Sequence, residues 1–321
     1  PARLIDLIAH GEGSRDAALV DTGGKECPVY VTLSYCWGKD PDTSHTTTAE
    51  RLAAHQKCIV YDELPLTLQH ALDITRQLGV RYIWIDGLCI VQGTKEDWER
   101  ESSKMYAIYR NSFVTIAADS SPETTAGCFN KSSTNFDSLT KPVRISGNLS
   151  DRRVSSLYIG KTVETTFAEL SLDFERTIVD RCALATRGWA FQERIMSPRV
   201  LHYTDRQVFW ECNRGLLGED NLWGHRHYRV LELSKNTDKR KVFDQWLDLV
   251  KQYSQRHLTQ PADKLPAISG LARIFCKRLS SRYLAGLWFD GLHRGLAWAR
   301  HGPVREVPLS YRCPSFSWAY L

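Results

Sequence analysis

The sequence predicts an α/β protein: a mostly parallel sheet flanked by helices, interrupted by a β-hairpin insertion and followed by a C-terminal helical subdomain. Three observations lead there. Strand-like and helix-like segments alternate through the first half of the 321-residue chain. Clusters of Pro, Gly, Ser and Thr break that alternation between residues 120 and 180. From Asp244 to Ala299 the apolar residues recur at helical spacing, with breaks at Pro261, Pro266 and Ser280-Ser281.

The elements follow in order. Pro28–Tyr35 is rich in β-branched and aromatic residues and stops at Cys36-Trp37-Gly38, which reads as a buried strand ending in a loop. Leu66–Leu78 places Leu68, Ala71, Leu72, Thr75 and Leu78 on one helical face, opened by Pro65 and closed by Gly79. Tyr82–Asp86 is a second strand ending in a carboxylate. A helix is expected from Asp97 to Arg110, with Trp98, Met105, Ile108 and Tyr109 on one face, and a third strand at Phe113–Ala118. Within the insertion, Pro142–Ser146 and Ser155–Ile159 read as hairpin strands separated by Gly147-Asn148. A short helix at Arg187–Met196 is stopped by Ser197-Pro198, and Val200–Tyr203 with Gln207–Cys212 reads as an antiparallel hairpin. Residues 1–215 are expected to form the α/β domain and 216–321 a helical region packed on it.

Right-handed crossovers would open the C-terminal ends of the parallel strands on one edge of the sheet. That edge would gather Tyr35, Cys36, Trp37 and Gly38, then Asp86 to Gln92, then Asp119 to Ser121, so function is expected there.

Composition narrows the classes. With 42% hydrophobic and 25% charged residues the chain is an ordinary folded protein. No run approaches the ~20 apolar residues that span a bilayer, and Pro1–Asp6 lacks the basic flank and apolar core of an export signal. Lys and Arg number 42 against 37 Asp and Glu, a net charge of +5 that is too mild to point to nucleic acid; the densest basic cluster, Lys235–Lys241, reads as a solvated loop or helix start. Nine scattered cysteines read as free thiols in a reducing compartment, hence a cytoplasmic protein. Glycine loops for phosphates and a Gly-x-Ser-x-Gly elbow are absent. His225, His227 and Cys212 lack the spacing of a zinc site, and no metal is expected.

Two constellations could carry chemistry. Cys36 and Cys89 both fall in loops at the functional edge, where His202 or His10 would have to act as base to make a thiolate. Trp189 and Glu193 stand four apart on the short helix, so an aromatic ring and a carboxylate project from one face. Such a pair suits a sugar hydroxyl or a cationic transition state; the alternative is a core tryptophan and a surface ion pair of Glu193 with Arg187 or Arg194.

The segments Leu33-Ser-Tyr-Cys-Trp-Gly38, Leu64-Pro65, Tyr82–Gln92, Asp97–Glu101, Met105–Tyr109, Thr115–Ala118, Arg187–Glu193 and Trp210-Glu-Cys212 together resemble the HET (heterokaryon incompatibility) domain of filamentous fungi. Asp263–Gly270, Ala285–Trp288 and Pro314–Trp318 resemble the region that follows the domain in such proteins, and because members extend past that last segment the chain is expected to be a trimmed piece. Gly87 and Gly93 depart from the family, which carries Ser and an acidic residue there.

HET domains are remotely similar to TIR domains, which implies a TIR-like (flavodoxin-like) fold. Some TIR domains cleave NAD, and the Trp and Glu spacing of their catalytic helix matches Trp189-Ala-Phe-Gln-Glu193, with Ala190 in place of the usual Cys. The resemblance thus implies Glu193 as the catalytic residue and NAD or a related nucleotide as substrate, with no cofactor required. Tyr35, Trp37, Gly38, Asp86, Gln92, Arg187 and Trp189 would bind it. Three functions stay open: a cell-death effector that hydrolyses NAD, a non-catalytic self-associating signalling module, and a thiol-dependent enzyme acting on a small metabolite. Self-association is expected; a membrane or nucleic-acid partner is not.

Overall fold

The structure is a computed structural model describing residues 1–23, 27–129, 143–148, 154–159, 178–205, 207–219, 224–225, 238–300 and 311–320. In chain order its elements are β1 (Arg3–Asp6), β2 (Ala18–Asp21), β3 (Tyr30–Ser34), α1 (Leu52–Lys57), α2 (Leu66–Gln77), β4 (Tyr82–Trp84), α3 (Asp86–Cys89), α4 (Lys95–Ser102), α5 (Met105–Arg110) and β5 (Thr115–Ala117). Then follow β6 (Val143–Asn148), β7 (Val154–Ile159), α6 (Gly188–Met196), β8 (Arg199–Tyr203), β9 (Val208–Cys212), β10 (Gly215–Gly218), β11 (Gly224–His225), α7 (Lys239–Ser254), α8 (Ser269–Leu279), β12 (Tyr283–Leu284), β13 (Leu287–Trp288) and α9 (Leu292–Gly295).

One sheet takes the order β11-β10-β9-β8-β5-β3-β4-β1-β2. Its centre, β8-β5-β3-β4, is parallel, with Leu33 opposite Ile116, Ile116 opposite Leu201 and Val31 opposite Ile83. Both margins are antiparallel: β1 pairs with β4 and β2, and β9 to β11 continue from β8. The architecture is therefore α/β with a parallel heart inside a mixed sheet. The all-buried pattern of β3 fits a central parallel strand covered on both faces.

Several expected elements differ in detail. The helix expected over Asp97–Arg110 is two helices, α4 and α5, broken at Ser103-Lys104. Trp98 does not share the apolar face: it is 38% exposed, and the buried residues of α4 are Asp97 and Glu101. Arg3 and Arg100 engage Asp97, while Arg100, Lys104 and the Ala2 amide engage Glu101, so charge pairing rather than apolar periodicity sets the phase of this helix. The hairpin in the insertion exists, but Gly147 and Asn148 lie within β6, opposite Ser155 and Val154, so the turn falls later than expected. Val200–Tyr203 and Gln207–Cys212 do pair antiparallel, and the first of them also extends the parallel sheet. Strands β1 and β2 carry no alternation that would reveal them; the charged ends of β1 are neutralised by Asp97 and Arg81.

Helix α2 begins directly after Pro65 and ends before Gly79, whose φ of +69° reverses the chain into β4; Leu78 does not join the buried face, because it lies just past the last helical residue, where the chain turns, and is 39% exposed. In the C-terminal region, α8 packs against α5 and α6, where Gly270 lets the backbone approach Tyr106 and its amide donates to Gln192 Oε1 at 2.8 Å. Trp246 of α7 is buried among Phe275, Tyr283 and Trp288, and it belongs to the same apolar cluster as the sheet. Asp238 caps α7 by accepting from the Arg240 amide, so Lys239–Lys241 start a helix; residues 235–237 lie outside the described residues. Among the described residues no helix is long and apolar enough to cross a membrane.

Candidate active site at the strand edge

The C-terminal ends of β3, β4 and β5 do open on one edge, and α6 closes over it. Ser34, the last residue of β3, points its hydroxyl at Glu193 on α6 and donates to Oε2. Glu193 is only 7% exposed. Burial is the main reason its carboxyl pKa rises from 4.5 to about 7; Asp86 pushes it further up, while the Ser34 hydrogen bond, Arg187 and Tyr109 pull it down. The expectation that α6 delivers its carboxylate into the sheet edge therefore holds. The alternative ion pair with Arg194 does not form: Arg194 binds Asp180 at 2.6 Å and Glu211 at 2.8 Å instead.

Around this carboxyl stand residues from the two loops. Trp37 donates its indole N–H to Asp86 Oδ2 at 3.1 Å, and the Gly87 amide donates to Oδ1 at 2.7 Å. Burial raises the Asp86 pKa, and Arg187, Tyr35, Gly87 and Trp37 oppose that rise. Arg187 donates to the Tyr35 carbonyl, which holds its guanidinium near enough to both carboxyls for its charge to favour their ionised forms. The Tyr35 and Trp37 rings stack with centroids 6.2 Å apart. Among the described residues the Tyr35 hydroxyl has no partner at hydrogen-bond geometry, although it lies near enough to Asp86 to feel its charge. No side chain fits at position 87 without displacement, because a Cβ there would sit 2.9 Å from that hydroxyl. Tyr35, Trp37, Asp86, Arg187 and Glu193 are thus brought together.

The other expected residues stand apart. Gln92 braces its own loop, its side-chain amide donating to the carbonyls of Asp86 at 3.2 Å and Ile90 at 3.0 Å. Gly38 turns the first loop with φ +96° against Glu123. Trp189 turns away from the cleft: its indole donates to Asp263 at 3.0 Å and its ring meets Trp98 edge-on at 6.5 Å. Spacing of four on a helix gives a shared side, but the partners on neighbouring elements decide where each side chain ends.

The thiol reading finds no support in the geometry. Cys89 is fully buried and its pKa is pushed up to about 12, and burial also raises Cys36, so neither is an activated thiolate. His202 is occupied elsewhere, with Nδ1 2.8 Å from Asp119 and Nε2 2.8 Å from Glu211. Burial opposes its positive charge, yet the two carboxylates raise its pKa overall. Among the described residues no group of His, Cys, Asp or Glu forms a metal site; His227 lies outside those residues.

This second polar cluster escaped the sequence reading. Alternation held the signal, since Val200 and His202 on β8, and Phe209 and Glu211 on β9, face inward together. A cavity of about 20 Å³ lies between the cluster and Ser34, lined also by Asp119, Arg194 and Arg256. It has room for ordered water.

Comparison with known proteins adds one finding. No curated protein and no solved structure matches the chain. Residues 30–193, from the first parallel strand through the buried carboxylate of α6, match the family described as heterokaryon incompatibility protein (HET), and the chain therefore belongs to that family.

Proposed function

We propose that the chain hydrolyses the N-glycosidic bond between nicotinamide and ribose in NAD, with Glu193 as the catalytic residue. The observation that carries this reading is a carboxyl group buried at the open end of parallel strands and poised near neutrality, with pKa about 7, beside Asp86, Arg187 and the Tyr35–Trp37 stack. In its ionised form Glu193 would accept a hydrogen bond from a ribose hydroxyl and stabilise the positive charge growing at the anomeric carbon. The C–N bond breaks with its electron pair leaving on nicotinamide. Water then bonds to the anomeric carbon and loses its proton to a neighbouring carboxylate or to solvent, giving ADP-ribose.

Such chemistry would make the chain a cell-death effector in incompatibility. Purified protein incubated with NAD should release nicotinamide, and Glu193→Gln should abolish the release. If the wild-type protein releases none at high concentration or when artificially clustered, the reading fails.

A second reading rests on the burial of Glu193. With its carboxyl only 7% exposed and held by Ser34, the domain could signal by self-association alone. Death signalling that persists in Glu193→Gln would favour that reading.

A further inference from the structure

The C-terminal region contributes a cation to the cavity. Arg256 follows α7 on a segment pinned beside the start of α6: the His257 amide donates to the Thr186 carbonyl at 2.6 Å, the Gly188 amide donates to the His257 carbonyl at 2.7 Å, and Arg187 bridges His257 in parallel. The guanidinium lies over the Phe191 ring at 4.7 Å and reaches the cavity that Ser34 also lines. Arg256 lies outside the residues of the family match.

Its charge is left over. Arg194 is paired with Asp180 and Glu211, and His202 sits between Asp119 and Glu211, so the three carboxylates of the cluster are engaged. Arg256 makes no ion pair among the described residues; burial first, and then the like charge of Arg194, lower its pKa to about 10, with Asp180 and Asp119 attracting it from a distance. A half-buried cation without a counter-ion is costly, and an entering anion offsets that cost. The guanidinium fork suits the oxygens of a phosphate.

We infer that the cavity beside Ser34 receives a phosphate group of a nucleoside diphosphate, anchored by Arg256. Ser34 forms the wall between the two ends of the site, since its hydroxyl bonds Glu193 while its side chain lines the cavity. A nucleotide seated with its sugar toward Glu193 would lay its phosphates toward Arg256, so the naming of a nucleotide rests on the glycosidase reading above. Asp119 also lines the cavity and would repel an anion, but its carboxylate is held by His202 Nδ1 at 2.8 Å.

The test uses the full chain, with binding measured by calorimetry and thermal shift. Inorganic pyrophosphate and ADP-ribose should bind the wild-type protein and raise its melting temperature, whereas uncharged adenosine should not. Arg256→Gln should weaken both anions about tenfold or more, the loss expected for a charge-assisted hydrogen bond. Pyrophosphate should bind Glu193→Gln as it binds wild type. If Arg256→Gln does not fold, Arg256→Lys keeps the charge without the fork and should weaken ADP-ribose while preserving the melting temperature. Pyrophosphate binding that depends on Arg256 without any nicotinamide release would uphold the anion site and remove only the glycosidase. A wild type that binds neither anion at millimolar concentration, or an Arg256 variant that folds and binds both as well as wild type does, overturns the inference.

Discussion

Ser34 and Glu193 lie 159 positions apart in the chain, yet the hydroxyl of one donates to the carboxylate of the other across the edge of the sheet. The last residue of a central parallel strand thereby holds the acidic residue of a helix that arrives after the whole insertion. The bond favours the ionised carboxylate, in opposition to the burial that disfavours it.

Removing that bond should be visible in a titration. Ser34→Ala deletes an interaction that lowers the Glu193 pKa, so the carboxyl should titrate above its present value of about 7. If nicotinamide release requires the ionised form, its rate should climb as pH rises through 7 in wild type and at higher pH in Ser34→Ala. An unchanged pH profile would show that the Ser34 bond does not tune this carboxyl.

Glu193 should also make the protein less stable as it ionises. Its folded pKa of about 7 lies above the reference 4.5, so the folded state holds the proton more tightly. The stability this gives is complete below pH 4.5 and is lost as pH rises through 7, a difference of about 3 kcal/mol by linkage. Glu193→Gln should therefore gain stability over wild type at pH 8 and gain little at pH 4, measured by urea unfolding at both values.

His202 behaves differently because its neighbours are acids. Its raised pKa stabilises the fold fully below pH 6.5, and the contribution disappears as pH climbs through the elevated folded value. His202→Gln removes the imidazolium facing Asp119 and Glu211 and should cost about 3–5 kcal/mol at pH 6, with a smaller cost at high pH. Equal losses at both pH values would show that the ring is neutral in the fold.

Gly270 tests how the C-terminal helices seat on the domain. A Cβ at this position would lie 2.2 Å from Tyr106 Cβ and 2.6 Å from Gln192 Oε1. Alanine improves helix propensity by about 1 kcal/mol in a helix interior, but overpacking costs about 1–3 kcal/mol, and Gly270 sits in the first turn where the gain is least. Gly270→Ala should lower the unfolding midpoint; an unchanged midpoint would mean that α8 shifts freely.

The sequence by itself determined the alternation of strands and helices from β3 to β5, the boundaries of α2 between Pro65 and Gly79, and the gathering of Tyr35, Trp37 and Asp86 at one edge. Each follows from local physics: hydrophobic period, proline and glycine geometry, and the handedness of parallel crossovers. The family kinship was legible too, because its motifs are short and run in order along the chain. Tertiary structure alone decided that Trp189 serves Asp263 while Glu193 serves Ser34, that Asp97 and Glu101 form the buried face of α4, and that His202 sits between two acids. Those outcomes depend on which charges meet after distant segments converge. Alternation turns His202 and Glu211 inward, but which charge each one meets is set by segments distant in the chain and by the loss of water around the pair, and neither leaves a period in the sequence.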